Sequence, residues 1–270
     1  MRATNVLPAL LCAATLALSM SSAVAQDVNA PDEILKAGKI VFCTSIPNPP
    51  LEFNDADNNL VGAEAELGTE IARRFGVQVE WANTQFDGII PALQARHCDA
   101  ILAQLFDKPA RREVVNFVDL MYSSQALLVA KGNPKHVRVL ADLSGVKVAA
   151  SNGTTIQALV EAQNKKFQAA GKPPAILTVF PQDVAALQAL QTGQVDVFGT
   201  TLETASYYVT KMSDTVEVAG PNFGKILSGI AIRKDDQAMT DAIQKAVDTI
   251  RKDGTELRIL TKWHLEADAF

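Results

Sequence analysis

The 270-residue chain contains few of the side chains on which metal sites and nucleophilic catalysis depend. It has three cysteines and three histidines, and His97, His136 and His264 fall in loops or at predicted helix ends, where histidines are more often structural. Apart from the adjacent pair His97-Cys98, none has a partner at the spacing of metal ligands. No Ser-His-Asp or Cys-His arrangement is present. We therefore expect no metal, no cofactor and no enzymatic activity.

Long apolar runs are also missing after residue 25. The early apolar run, residues 7–18, follows Arg2 and precedes Ala23-Val24-Ala25, which is typical of an export signal with its cleavage site. A membrane anchor is the alternative, but the run is shorter than the ~20 residues that span a bilayer. We expect residues 1–25 to be removed and the mature protein to reside in the periplasm.

Positive charge is in deficit, with 25 Lys and Arg against 30 Asp and Glu. The formal net charge is −5, and removal of the signal with its single Arg makes it −6. This balance disfavours nucleic acid or an anionic membrane surface as a partner. The remaining 245 residues are enough for two modest lobes, each with its own core.

Two cysteines, Cys43 and Cys98, remain after export. An oxidising compartment permits a disulfide between them. However, Cys43 falls at the end of one predicted strand and Cys98 at the start of another, which would place them at opposite edges of a parallel sheet. The sequence leaves both states open, and we favour two buried thiols.

Strand and helix patterns alternate along the chain. Residues 40–44 and 77–81 fit strands, and Leu67, Ile71 and Phe75 share one face of a helix between them. This order predicts an α/β fold whose strands are mostly parallel and flanked by helices.

The pattern starts again at Gly145, with a strand over residues 146–150 and a helix that opens at Thr154. Asp87 is predicted to cap a helix that leads into a buried strand, and Asp183 stands at the same place in the second half. Two lobes of similar build are therefore expected.

We place the first lobe at residues 26–125, the second at 126–222, and a return of the chain to the first lobe at 223–270. The predicted links lie within residues 123–128 and 221–228.

Several short motifs, each weak alone, occur in an informative order and spacing. They are Pro49-Pro50-Leu51-Glu52-Phe53, Leu60-Val61-Gly62, Phe86-Asp87-Gly88-Ile89-Ile90-Pro91-Ala92-Leu93-Gln94, Asp99-Ala100-Ile101, Arg111-Arg112, Phe117-Val118-Asp119, Asp142-Leu143-Ser144-Gly145 and Gly153-Thr154-Thr155. Together they resemble family 3 of the extracellular solute-binding proteins, the polar amino-acid receptors of ABC importers. The resemblance implies a two-lobed periplasmic binding protein-like fold of type II, in which two hinge strands join lobes that close on a ligand.

Ligands of open α/β sheets bind beyond the carboxyl ends of the strands. Three predicted loops lie there, and they contain Ser45 and Asn48, Gln104, and Thr154 with Thr155. We expect a cleft between these loops. The free amides at the start of the Thr154-Thr155 helix favour an anion, although these threonines can also serve as an ordinary helix cap.

The resemblance further implies an arginine beyond the third strand that binds the ligand carboxylate. Counting back from Phe117-Val118-Asp119 identifies it as Arg111 rather than Arg112. A guanidinium matches a carboxylate in shape, and each charged hydrogen bond contributes about 1.5–3 kcal/mol. The alternative is that both arginines are solvated. Phe86 is the candidate wall of the cleft, with core packing as its alternative.

The chain departs from the family pattern at places that usually contact ligand. Family members carry hydroxyl or aromatic residues where this chain has Asn48, Ala103, Gln104, Phe106 and Lys108.

The acidic residue that meets the α-ammonium in family members falls at Thr201 here. A buried ammonium without an opposing charge is costly. Either Glu203 takes this role or the ligand lacks the ammonium.

The expected function is that of a periplasmic substrate-binding component, which delivers an amino acid or related small carboxylate to an ABC permease. One alternative is an enzyme similar to cyclohexadienyl dehydratase, with Glu203 as the general acid. Another is a protein that presents its ligand to a sensory receptor.

Overall fold

The computed structural model describes residues 28–270, so the predicted export signal and its cleavage site lie outside the described residues. The strands are β1 (Lys39–Thr44), β2 (Phe53–Asn54), β3 (Leu60–Val61), β4 (Gln78–Asn83), β5 (Ala100–Phe106), β6 (Val115–Ala130), β7 (Lys147–Ser151), β8 (Ile176–Phe180), β9 (Val197–Thr201) and β10 (Val216–Arg233). The α-helices are α1 (Asp32–Ala37), α2 (Ala63–Phe75), α3 (Ile89–Gln94), α4 (Pro109–Arg112), α5 (Thr155–Ala169), α6 (Asp183–Gln191), α7 (Leu202–Lys211), α8 (Gln237–Lys252) and α9 (Thr255–Lys262).

Eight of these strands form one sheet in the order β4-β1-β5-β10-β6-β9-β7-β8. On one side β1 pairs in parallel with β4 and β5, and on the other β7 pairs in parallel with β8 and β9. The long strands β6 and β10 lie between these groups and run antiparallel to each other. The expected fold of two lobes joined by two long strands is therefore confirmed.

The predicted lobe boundaries fall within these connecting strands. The change from residue 125 to 126 lies inside β6, and the change from residue 222 to 223 lies inside β10. The exact division of the chain between the lobes stays a prediction.

The core of the first lobe contains the apolar face of α2. Leu67, Ile71 and Phe75 recur at helical spacing and are buried against the sheet and against Ile243 and Val247 of α8. The C-terminal helices therefore pack on the first lobe, as the sequence predicted.

The second lobe has a core on each face of its half of the sheet. On one face, Val148 and Val197 pack with Ile156, Val160 and Phe167 of α5. The other face is covered by α6 and α7. Both faces are thus shielded, as a mostly parallel sheet requires. None of the helices between residues 28 and 270 is both long and apolar enough to cross a membrane.

The expectation of two buried thiols is wrong, because Cys43 and Cys98 form a disulfide with their Cα atoms 5.5 Å apart. The strands β1 and β5 are direct neighbours, with Cys43 opposite Ile101. The segment before β5 already lies alongside β1, since the amide of Asp99 donates to the carbonyl oxygen of Val41. This places Cys98 beside β1 rather than at the opposite edge of the sheet.

The disulfide spans 55 residues of chain, so it restricts the unfolded state substantially. Replacing both cysteines with serine should lower the free energy of unfolding by about 2–4 kcal/mol. Urea unfolding of the oxidised parent and the double variant measures this difference. Equal stability of the two proteins would contradict it, and the parent unfolded with a reductant present provides the control.

Candidate functional site: a cleft between the lobes

A cleft of about 680 Å³, counting the space open to solvent, lies between the lobes. This size is typical of sites for small molecules. Most of the candidate residues line it: Ser45, Asn48, Phe86, Gln104, Arg111, Thr154, Thr155 and Thr201. Glu203 is the exception and does not line the cleft. The carboxyl ends of β1, β5, β7 and β9 all lead to this place, which explains why short loops distant in sequence meet there.

Arg111 lies in α4, which begins at a proline and positions the guanidinium toward the cleft. Its Nη1 donates to the carbonyl oxygen of Phe106 at 3.0 Å, and its guanidinium lies 5.6 Å from the centre of the Phe86 ring. Arg112 instead is exposed and hydrogen-bonded to Asp107. The two neighbouring arginines therefore have different environments, and only Arg111 faces the cleft.

The Arg111 guanidinium is partly withdrawn from water. Burial lowers the pKa of Arg111 to about 10, so the side chain stays positively charged at neutral pH. It makes no ion pair with any carboxylate of the described residues. A charge in such a place favours an anionic partner, because a second charge offsets the cost of its burial.

The start of α5 lies at the same part of the cleft. Thr154 is the helix cap, and its hydroxyl accepts from the amide of Gln157 at 3.4 Å. The hydroxyl of Thr155 accepts from the Lys108 ammonium at 3.2 Å across the cleft. The helix-cap alternative therefore applies to Thr154, whereas binding of an anion at the first amides of α5 stays a prediction.

Direct hydrogen bonds hold the lobes together in a closed arrangement. The Asn152 side-chain amide donates to the Asp87 carboxylate at 2.7 Å, and the Gln182 side-chain amide donates to the carbonyl oxygen of Ile46 at 3.1 Å. The prediction that Asp87 caps a helix is wrong, because its carboxylate is used across the cleft and caps no helix of the described chain.

Two of the residues that depart from the family pattern, Asn48 and Gln104, belong to a polar network between the lobes. The Asn48 amide donates to Glu52 at 3.1 Å, and its oxygen accepts from the Thr204 hydroxyl at 3.0 Å. The Gln104 amide donates to the Glu203 carboxylate at 3.1 Å. Thr204 and Glu203 belong to α7, whereas the other three residues belong to the first lobe. The network therefore ties α7 to the loop that follows β1 and to Gln104 within β5.

Glu203 and Thr201 have structural roles in this arrangement. Glu203 is only 3% exposed, and its carboxylate accepts from Gln104 and from the Ser123 hydroxyl. It therefore lies behind the wall of the cleft. Thr201 does line the cleft, but its hydroxyl caps α7 by accepting from the amide of Thr204. Neither residue supplies a negative charge to the surface of the cleft.

The cleft is also lined by two carboxylates that were not predicted to be there, Glu52 and Asp183. Glu52 is fully buried. Asp183 is partly exposed, and its carboxylate accepts from the hydroxyls of Ser151 and Thr200. It does not cap α6, so that prediction is also wrong. The signal that could have found it is its position at a junction of strand and helix, where ligands of this fold class bind.

Burial also disfavours the charged form of three carboxyl groups beside the cleft. It raises the pKa of Glu64 to about 7 and that of Glu203 to about 7, and it raises the pKa of Glu52 well above its usual range. The negative charges of Glu64 and Glu203 reinforce the shifts, since Glu64 raises the pKa of Glu52 and Glu203 raises that of Glu64. Across the described residues, no group of three or more His, Cys, Asp or Glu side chains is placed to hold a metal ion.

Residues 40–266 match the family of bacterial extracellular solute-binding proteins, family 3. The chain belongs to this family.

Relatives and solved structures agree with that assignment. The chain is 29% identical to ABC transporter arginine-binding protein 1 of Escherichia coli K12 over 232 residues, which cover 84% of this chain and 91% of the relative. It resembles an ancestral arginine-binding protein bound to arginine, with a TM-score of 0.78, 34% identity and coverage of 84% and 98%. An ancestral amino-acid-binding protein, a precursor of cyclohexadienyl dehydratase, matches with a TM-score of 0.78, 30% identity and coverage of 86% and 98%.

The closed arrangement depends on a glycine at the contact between the lobes. A Cβ atom on Gly153 would lie 3.0 Å from the Cα of Asp87, so Gly153→Ala should impede closure and weaken solute binding. Gly171 has a similar φ, 67° against 74°, but open space around it. Gly171→Ala therefore reproduces the backbone strain without the interlobe contact.

Small-angle X-ray scattering of each variant tests this, with the solute that most stabilises the parent in a thermal-shift screen. At a solute concentration that saturates the parent, Gly153→Ala should keep a larger radius of gyration than Gly171→Ala. Identical compaction of the two variants would show that the contact does not limit closure.

The raised pKa of Glu203 predicts a dependence of stability on pH. Its folded value of about 7 exceeds the ordinary value near 4.3, so folding binds a proton. The resulting stability is complete below about pH 4 and is lost as the pH rises through 7. Glu203→Gln is neutral throughout and should lose less stability than the parent between pH 5 and pH 8.

Thermal unfolding at both pH values measures the effect. The pKa values of Glu64 and Glu52 are raised as well, so both residues still make stability fall as the pH rises. The slope of stability against pH should therefore be smaller in Glu203→Gln than in the parent, but not zero. Glu113 is exposed, and Glu113→Gln should retain the slope of the parent. A Glu203→Gln slope equal to that of the parent would contradict the assignment.

Proposed function

We propose that this protein is the periplasmic substrate-binding component of an ABC importer, which binds an amino acid or related small carboxylate in the cleft and delivers it to a membrane permease. The observation that carries the proposal is the placement of Arg111. Its guanidinium faces the cleft, is partly buried and has no ion-pair partner among the described residues. Removal of residues 1–25 as an export signal belongs to the same proposal.

A carboxylate fits the surroundings of Arg111 on both sides of the cleft. The guanidinium offers a planar pair of donors from the first lobe. From the second lobe, the start of α5 at Thr154 and Thr155 provides the positive end of a helix. An anion held between them contacts both lobes at once, and this favours the closed form, because it binds that form more tightly than the open one.

Transport is favoured over catalysis by the position of Glu203. A general acid must reach the reacting atoms, either directly or through one water. Glu203 is buried behind Gln104 and does not line the cleft. Presentation of the ligand to a sensory receptor uses the same cleft, so binding of the protein to a permease separates these two roles.

Replacing Arg111 with alanine should weaken binding of the solute roughly 10- to 150-fold, the equivalent of one hydrogen bond to a charged group. Arg112→Ala is the matched control, since it removes the same charge one residue away, outside the lining of the cleft. A thermal-shift screen of free amino acids and carboxylates without an amine selects the solute, because ligand binding raises the apparent stability.

Calorimetric titration of the two variants with that solute then measures both effects. Equal affinity of Arg111→Ala and Arg112→Ala would exclude Arg111 as the anchor. Stabilisation by none of the screened compounds would exclude the proposed class of solute.

A further inference from the structure

The cleft is lined by groups of opposite charge. Arg111 of the first lobe lines it, and Lys108 of the same lobe reaches Thr155 at the start of α5. Asp183 of the second lobe provides a carboxylate at the surface of the same cleft. A solute that contacts both kinds of group needs an anionic group and a donor group that is positively charged.

Asp183 is placed to accept hydrogen bonds from a ligand. The hydroxyl of Ser151, the last residue of β7, donates to Oδ1, and the hydroxyl of Thr200 in β9 donates to Oδ2 at 2.8 Å. These two bonds fix the orientation of the carboxylate. Each carboxylate oxygen has a further lone pair, so the group can accept additional donors from the cleft.

The other acidic residues near the cleft are less suited to this contact. Glu52 is fully buried and lies near Glu64, and burial raises its pKa well above the usual range. Glu203 is turned toward Gln104 and Ser123. Burial raises the pKa of Asp183 above its ordinary value as well, and the bonds from Ser151 and Thr200 offset only part of that rise. Among the described residues, Asp183 is the partly exposed carboxylate that lines the cleft.

We propose that Asp183 receives a cationic nitrogen of the ligand and thereby determines specificity for solutes that carry a carboxylate and an amine together. This inference rests on the proposed function. Asp183 takes the place of the missing acid at Thr201, from the start of α6 rather than from the end of β9. A buried ammonium then has the opposing charge that it requires.

The test compares L-glutamine, L-arginine, L-histidine and L-cystine with the counterparts of each in which hydrogen replaces the α-amine. Calorimetry gives the affinity of the parent, of Asp183→Asn and of Asp214→Asn for each pair. Asp214 is exposed and lies outside the lining of the cleft, so its variant has the same change of charge without the contact.

The parent and Asp214→Asn should prefer the amino acid over its amine-free counterpart roughly 10- to 150-fold. In Asp183→Asn this preference should fall to near unity. The ratio of two affinities on one variant does not depend on the fraction of protein that is folded. A purely structural role of Asp183 would lower both affinities and leave the ratio unchanged.

Failure of the proposed role of Asp183 and failure of the proposed function give different results. If Asp183→Asn keeps the preference, or if the parent binds both members of a pair equally, the role of Asp183 is overturned while the proposed function stands. If the parent binds no amino acid and no carboxylate, either in these pairs or in the thermal-shift screen, the proposed function is overturned, and the inference falls with it.

Discussion

The guanidinium of Arg111 is a positive charge held partly out of water, and the proposed function depends on how that charge is balanced. Withdrawing a charge from water costs several kcal/mol unless an opposite charge or strong hydrogen bonds replace the solvent. The carbonyl oxygen of Phe106 and the Phe86 ring supply part of that replacement. In the proposed function an anion from solution supplies the rest, which would link the stability of the closed cleft to the presence of a solute.

The closed arrangement also brings together polar side chains of the two lobes, and these side chains are uncharged or acidic. Gln104 and Asn48 meet Glu203 and Thr204 across the lobes, beside buried carboxyl groups whose pKa is raised. Hydrogen bonds between side chains of the protein therefore make part of the contact between the lobes, in addition to any contact through a bound solute. Of the residues that depart from the family pattern, Asn48 and Gln104 belong to this network.

Local periodicity predicted the helices and strands, whereas the cationic side of the cleft was implied by the resemblance to the family. Periodicity located α2 and α5, and the distance from Phe117 identified Arg111. The disulfide and the placement of Glu203 depend on which strands are neighbours and which face of a helix is buried. The sequence predicts a helix cap at Asp183, since an acidic residue before a helix gives the same pattern whether it binds amides or faces a cleft.

The most direct test of the central claim is a crystal structure of the protein with the solute that stabilises it most. The account predicts a carboxylate within hydrogen-bond distance of the Arg111 guanidinium and of the first amides of α5, with both lobes in contact with the solute. A solute bound in the cleft with its carboxylate away from Arg111, or bound outside the cleft, would contradict it.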